Sequence, residues 1–377
     1  MISLLPTLLL LSRPALALPL VFERFDVSEL PAGWKVGIAV STGGGAASTY
    51  ALEEGGLVMR TEPRAKRFTA VSRKSELRDV SWIRVQARTR TEGVAADVPA
   101  TATCGVFVRF EGGPIQSTRP CANTTEWTPF TRYYAVPKGA RDVEVGFLVT
   151  TAGTVRVDDL VVEPVTPDVK TLRRDHLVYH WLGSDAFTED HLVANGELYD
   201  QLAALCGGTS AVAVEYWKYA DPDTLEQYTG RRDDSQVVGD AIHTLRRKDI
   251  YGLVEILSRP WGTPPAFLVK GLAVQLAGDW DGRDIKMLVR GLVGRGEAPP
   301  LATLLDPATF GALPESTSLP LAGAFVTWVV ATHGHPMVQT LFGQLKSEAT
   351  VEANREAMEA ALGMTLAEAD SAMRGWL

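Results

Sequence analysis

The sequence is poor in cysteine and carries no long run of one charge, and each shortage removes a class of protein. Cys104, Cys121 and Cys206 are the three cysteines in 377 residues, with no CxxC spacing; a structural zinc knuckle and a dithiol redox site are excluded by count. The net charge is -8 and no long basic stretch occurs, which argues against nucleic acid or an anionic membrane surface as the main partner. Beyond the N-terminus no segment is apolar for long enough to span a bilayer. No nucleophile elbow of the GxSxG type is present. What remains is a soluble composition, 46% hydrophobic and 22% charged, in a chain with room for two domains.

The N-terminus has a leucine-rich run from Leu4 to Leu11 and then Ala15-Leu16-Ala17. An apolar stretch too short to span, followed by a small-x-small pattern, predicts a signal peptide over residues 1–17 and export to the periplasm or extracellular space. No Lys or Arg precedes the run, and no cysteine follows it to carry a lipoprotein anchor. Export would allow Cys104 and Cys121, in one candidate domain, to pair. Cys206, at the end of a helix-like segment, reads as a buried free thiol.

Two periodicities divide the chain near Pro164 to Lys170, giving a domain over 18–165 and another over 166–377. In the first the period is near two: Ile83, Val85, Ala87 and Thr89 oppose Trp82, Arg84, Gln86 and Arg88, and Val143, Val145, Phe147 and Val149 oppose Glu144, Gly146 and Leu148. Such half-buried strands, separated by turn-forming clusters, predict an antiparallel all-β sandwich without helices. With its FERFD and LPAGW opening, EWTPFTRYYAVPKGARDVEVGF and closing GTVRVDDLVVEPV, the domain resembles jelly-roll, galactose-binding-like carbohydrate-binding modules. The resemblance implies a glycan surface with aromatic side chains, for which Trp82, Trp127 and Tyr134 are candidates unless they serve packing. It also implies a structural calcium, with Glu23 and Asp158 as candidate ligands.

From Asp175 onward short strands alternate with amphipathic helices. HLVYHWLG, AVAVEYWKY and GDAIHTL read as strands, and a helix capped by Thr188 runs to Gly207-Gly208. His176 and His180, four apart on a strand, would lie about 13 Å apart and cannot share a metal. Helical spacing returns at Ile250, Leu253, Val254 and Leu257, followed by a second helix with Thr263 as N-cap and Gly278 as stop.

These two helices, with LPLAGAFVTWVVATHG and the closing EAMEAALGMTLAEADSAMRGWL, resemble the gluzincin, peptidase MA-like metallopeptidases. That family's chemistry needs two His ligands and a general base in HExxH, and a third, carboxylate ligand on the facing helix. Here the aligned positions read Tyr251, Gly252 and Glu255, then Lys270. The resemblance therefore implies an α+β, mostly helical, degenerate metallopeptidase-like domain without catalytic zinc. A Lys270–Glu255 ion pair, with the Tyr251 hydroxyl beside it, is expected in place of the metal. The reading is an exported pseudoenzyme that binds a peptide, protein or glycan. The alternative is a secreted zinc metallopeptidase or other hydrolase with a noncanonical site, built on Tyr251, Glu255 and His243.

Overall fold

The computed structural model describes residues 19–25, 27–41 (backbone alone at 39–41), 46–53, 55–94, 104–117, 125–206 and 213–377. The N-terminal run and Cys121 lie outside them. The chain forms two compact units, Met1–Asp168 with Pro222–Arg232, and Val169–Asp221 with Asp233–Leu377.

The first unit is an antiparallel sandwich. Its strands are β1 (Val21–Glu23), β2 (Lys35–Ser41), β3 (Thr49–Glu53), β4 (Gly56–Thr61), β5 (Arg67–Glu76), β6 (Trp82–Glu92), β7 (Cys104–Phe110), β8 (Gln116–Ser117), β9 (Thr128–Ala135), β10 (Asp142–Val149) and β11 (Gly153–Val165). One sheet has the order β3-β4-β11-β6-β9 with β1 also on β11; the other is β2-β5-β10-β7-β8. The period-two pattern decides which side faces in: Ile83, Val85, Val143, Val145, Phe147 and Val149 are all fully buried. Each such side chain contributes about 1.5–3 kcal/mol by leaving water. Trp34 stacks on Phe147 at 5.3 Å, and Phe25 meets both edge-on at 5.2 Å. Leu148, on the outward side of β10, is also buried, in a small second cluster with Phe68, Ala70 and Phe107.

No helix interrupts the described sandwich strands, but one is added from far along the chain. The helix Pro222–Thr229 clusters with this unit. Its Tyr228 ring stacks on Tyr133 at 4.7 Å and meets Trp82 edge-on at 5.6 Å.

The second unit opens with β12 (Val169–Arg174) and β13 (Leu177–Leu182), then α1 (Glu189–Leu205) and β14 (Val214–Lys218). The helix Pro222–Thr229 takes the place of α2 in chain order, followed by β15 (Ser235–Val238) and β16 (Ala241–Thr244). The sheet order is β12-β13-β14-β16-β15, with β13, β14 and β16 parallel and the outer two antiparallel. Then come α3 (Ile250–Leu257), α4 (Ala266–Ala277), the hairpin β17 (Asp279–Trp280) and β18 (Arg283–Asp284), α5 (Ile285–Gly294), α6 (Pro307–Ala312), α7 (Glu315–His333), α8 (His335–Gln344), α9 (Val351–Leu362) and α10 (Leu366–Trp376).

Two local expectations are corrected. Thr263 does not cap α4: the helix enters at Ala266 with Pro265 at the N-cap, ψ 146°, because Pro265 forces Pro264 out of helical geometry. His176 is not on a strand but in the β12–β13 turn, next to Asp175 at φ 52°. Its ring stacks on Tyr199, while that of His180 stacks on Trp217.

Candidate functional site

On the outer face of the β2-β5-β10-β7 sheet, small residues fall in register. Gly37 pairs with Ala70, Ser72 with Gly146, and Gly146 with Phe107. A Cβ on Gly146 would stand 2.6 Å from the Ser72 Cβ and 2.8 Å from Phe107 Cε1, so glycine here is what lets the phenylalanine ring lie across the strand. Gly37 has open space on its side-chain face. The result is a groove of about 510 Å³ with a floor of Gly37, Ala70, Ser72 and Phe107.

Its rim is charged. Glu144 Oε1 accepts a hydrogen bond from Ser72 Oγ at 2.6 Å, and Oε2 accepts from Arg109 Nε at 2.9 Å and also from its Nη2. Burial raises the Glu144 carboxyl, but these bonds and the charges of Arg109 and Lys74 outweigh it and hold the group below its ordinary range. Lys74 stands opposite Glu144 in register, and Lys35 stands opposite Ser72. Both lysines are exposed. Fixed carboxylate and guanidinium groups, free ammonium groups and a buried ring beneath them can take a hydroxyl-rich ligand along the groove.

At the metallopeptidase-like positions the geometry is different from the expected one. The buried Asp249 caps α3: its Oδ1 accepts from the Gly252 N–H at 3.0 Å, and its Oδ2 accepts from the Ser235 hydroxyl. Gly252 is pressed against β16, where a Cβ would come 2.8 Å from Ile242 Cγ2. No ion pair joins Glu255 to Lys270 among the described residues. The Lys270 ammonium lies over the Tyr251 ring at 5.2 Å, with the Arg246 guanidinium at 5.8 Å from the same ring, and Glu255 is exposed. The aromatic face takes the cation that a carboxylate was expected to hold. In the alignment that the sequence resemblance implies, zinc would meet no base at Gly252, where a Cβ would press on Ile242, and an ammonium at Lys270 in place of an anionic ligand. The His243 Nδ1 is 2.8 Å from the Tyr219 hydroxyl. Burial, aided by His180, pushes its pKa down to about 4. Among the described residues no group of three His, Cys, Asp or Glu is placed to hold a metal.

The other candidates are dispersed. Glu23 pairs with Arg73 Nη1 at 2.5 Å, and Asp158 accepts from the Phe25 N–H at 3.1 Å and Arg88 Nη2 at 3.0 Å. Each carboxylate is thus engaged by an arginine. Trp82 lies under Tyr228, Trp127 lies under the Arg88 guanidinium at 5.3 Å, and Tyr134 is part of the core. None of the three lines the groove. Cys104 is disulfide-bonded and Cys206 is free, with burial pushing its thiol up to about 11.

Sequence reading missed the groove residues Lys35, Ser72, Lys74, Phe107 and Arg109. Its signal was the outward set of the alternation in RFTAVSRKSE and CGVFVRF, where small, aromatic and charged residues replace the usual solvated ones.

No family model matches the chain, and no curated protein matches it. Solved structures do. The CBM22-1 xylan-binding domain of Paenibacillus barcinonensis Xyn10C is 13% identical, with 40% of this chain and 97% of that one covered, at a TM-score of 0.26. TmCBM61, solved with β-1,4-galactotriose, is 16% identical over 38% and 94%, at 0.27. The active domain of bacteriophage CBA120 tailspike protein 4 is 15% identical over 38% of this chain, which spans 20% of that protein, at 0.26. At these scores the likeness adds nothing to the strand order. The class that the fold defines is a β-sandwich followed by a mainly helical α+β unit, and no helix among the described residues is long and apolar enough to cross a membrane.

Proposed function

We propose that the chain is an exported binding protein that takes a glycan in the groove across β2, β5, β10 and β7. The observation that carries this reading is the juxtaposition of a low floor, Gly37 and Ala70 beside the Phe107 ring that Gly146 lets lie flat, with the hydrogen-bonded Ser72–Glu144–Arg109 set. Preorganised polar groups at the edge of an apolar floor are what fix a sugar's hydroxyl pattern while its ring face covers carbon. The second unit is read as a gluzincin-like frame that has lost catalysis, supported by Gly252 in place of a base and Lys270 over Tyr251.

Gly37 offers a clean test. Its backbone is extended and its side-chain face open, so Gly37→Trp fills the groove without disturbing the core. Affinity electrophoresis of the full chain through gels containing soluble polysaccharides should show retardation of the parent and none of the variant. Equal mobility of both in every polysaccharide would sink the reading. For the second unit, zinc retained at one equivalent after buffer exchange, and lost in Tyr251→Phe or Glu255→Gln, would restore the enzyme alternative.

A further inference from the structure

From the charges on the groove rim we infer that the ligand is an anionic glycan, one bearing carboxylate or sulfate groups, held by Lys35 and Lys74. This deepens the glycan reading above and rests on it. The whole chain is acidic, at -8, yet the groove carries Lys35, Lys74 and Arg109 against the single carboxylate of Glu144. Arg109 is spent on Glu144 through two hydrogen bonds. Neither lysine is in ion-pair contact with a carboxylate among the described residues: Lys74 stands opposite Glu144 and adds to the field on it without pairing, and the residue opposite Lys35 is the neutral Ser72.

The outer face of the other sheet sets the contrast. There Arg84 is matched by Glu163, Arg88 by Asp158 and Asp159, and both Arg60 and Arg156 by Glu53. On that face each of these arginines has a carboxylate in contact, whereas in the groove three cations share the one carboxylate of Glu144. Lys74 is two residues along β5 from the cross-strand partner of Lys35, a diagonal relation of about 7–8 Å between backbones. Two flexible ammonium groups at that spacing converge on one anionic substituent lying between them. Glu144, pinned toward Arg109 and Ser72, then discriminates against a second anion on its own side.

The experiment uses the full chain with polygalacturonate, dextran sulfate and neutral galactan, by titration calorimetry at low and high salt. The parent should bind an acidic polymer more tightly than galactan, and salt should weaken that binding. Lys35→Gln with Lys74→Gln should weaken it by about tenfold, the product of two exposed charge contacts. Glu144→Gln should tighten it. Preference for polygalacturonate identifies a uronate carboxylate, and preference for dextran sulfate identifies a sulfate ester; either supports the inference. Galactan bound as tightly as the acidic polymers, with the double lysine variant unchanged, overturns it and leaves the groove reading standing, since Gly37→Trp would still abolish binding. Binding that survives Gly37→Trp overturns both.

Discussion

His243 sits in a stack with Trp217 and Tyr219, close enough to His180 to feel its charge. Its folded pKa of about 4 lies below the ordinary 6.5, so above pH 6.5 it is neutral in both states and costs nothing. As the pH falls from 6.5 toward 4 the unfolded chain takes up the proton first, and about 3 kcal/mol of stability drains away. A melting profile of the parent should decline through that window, and His243→Gln should flatten the decline; identical profiles would mean that the imidazole is not shielded. Two glycines give an opposed pair at the same scale. Gly252→Ala drives a methyl into the buried Ile242 and should cost about 1–2 kcal/mol. Gly196→Ala, mid-α1 with nothing within 4 Å, should gain about 0.5–1 kcal/mol by helix propensity alone. Urea unfolding reads both.

Strands and helices were legible where burial imposes a period. Ile83 to Ala87, Val143 to Val149, β13, α1 and α3 follow from spacing alone. Exposed or brief elements do not announce themselves: β12 has mostly exposed residues and overlaps the division near Pro164 to Lys170, and α2 and β15 are too short to establish a period. The Lys270–Glu255 pairing failed for a related reason, since helix positions can be aligned from sequence but the direction of a long flexible side chain cannot. The groove is a further case, because it depends on which residues of separate strands share a register. Long-range polar ties are equally silent in sequence. Asp158, at the bulge in β11 and only 7% exposed, satisfies the Phe25 N–H and Arg88 across 133 and 70 residues. Asp158→Ala leaves a buried donor orphaned and should cost about 2–4 kcal/mol, read by chemical denaturation.

At the scale of the molecule, the two large apolar clusters lie one in each unit, with the small Phe68–Phe107 cluster added to the sandwich, and imply two cooperative cores. Calorimetry should resolve two transitions, and a saturating glycan should raise only the one belonging to the sandwich, because a ligand stabilises the unit that binds it. A single transition shifted as a whole would argue against independent cores. The sandwich is nevertheless not written as one stretch of chain. Its Tyr133 and Trp82 are covered by Tyr228, which the gene encodes more than fifty residues past the sandwich's last strand. A recombination crossover at residue 168 would therefore deliver a sandwich stripped of one of its own pieces, so the two halves can be inherited intact only as a single unit, never traded like beads on a string.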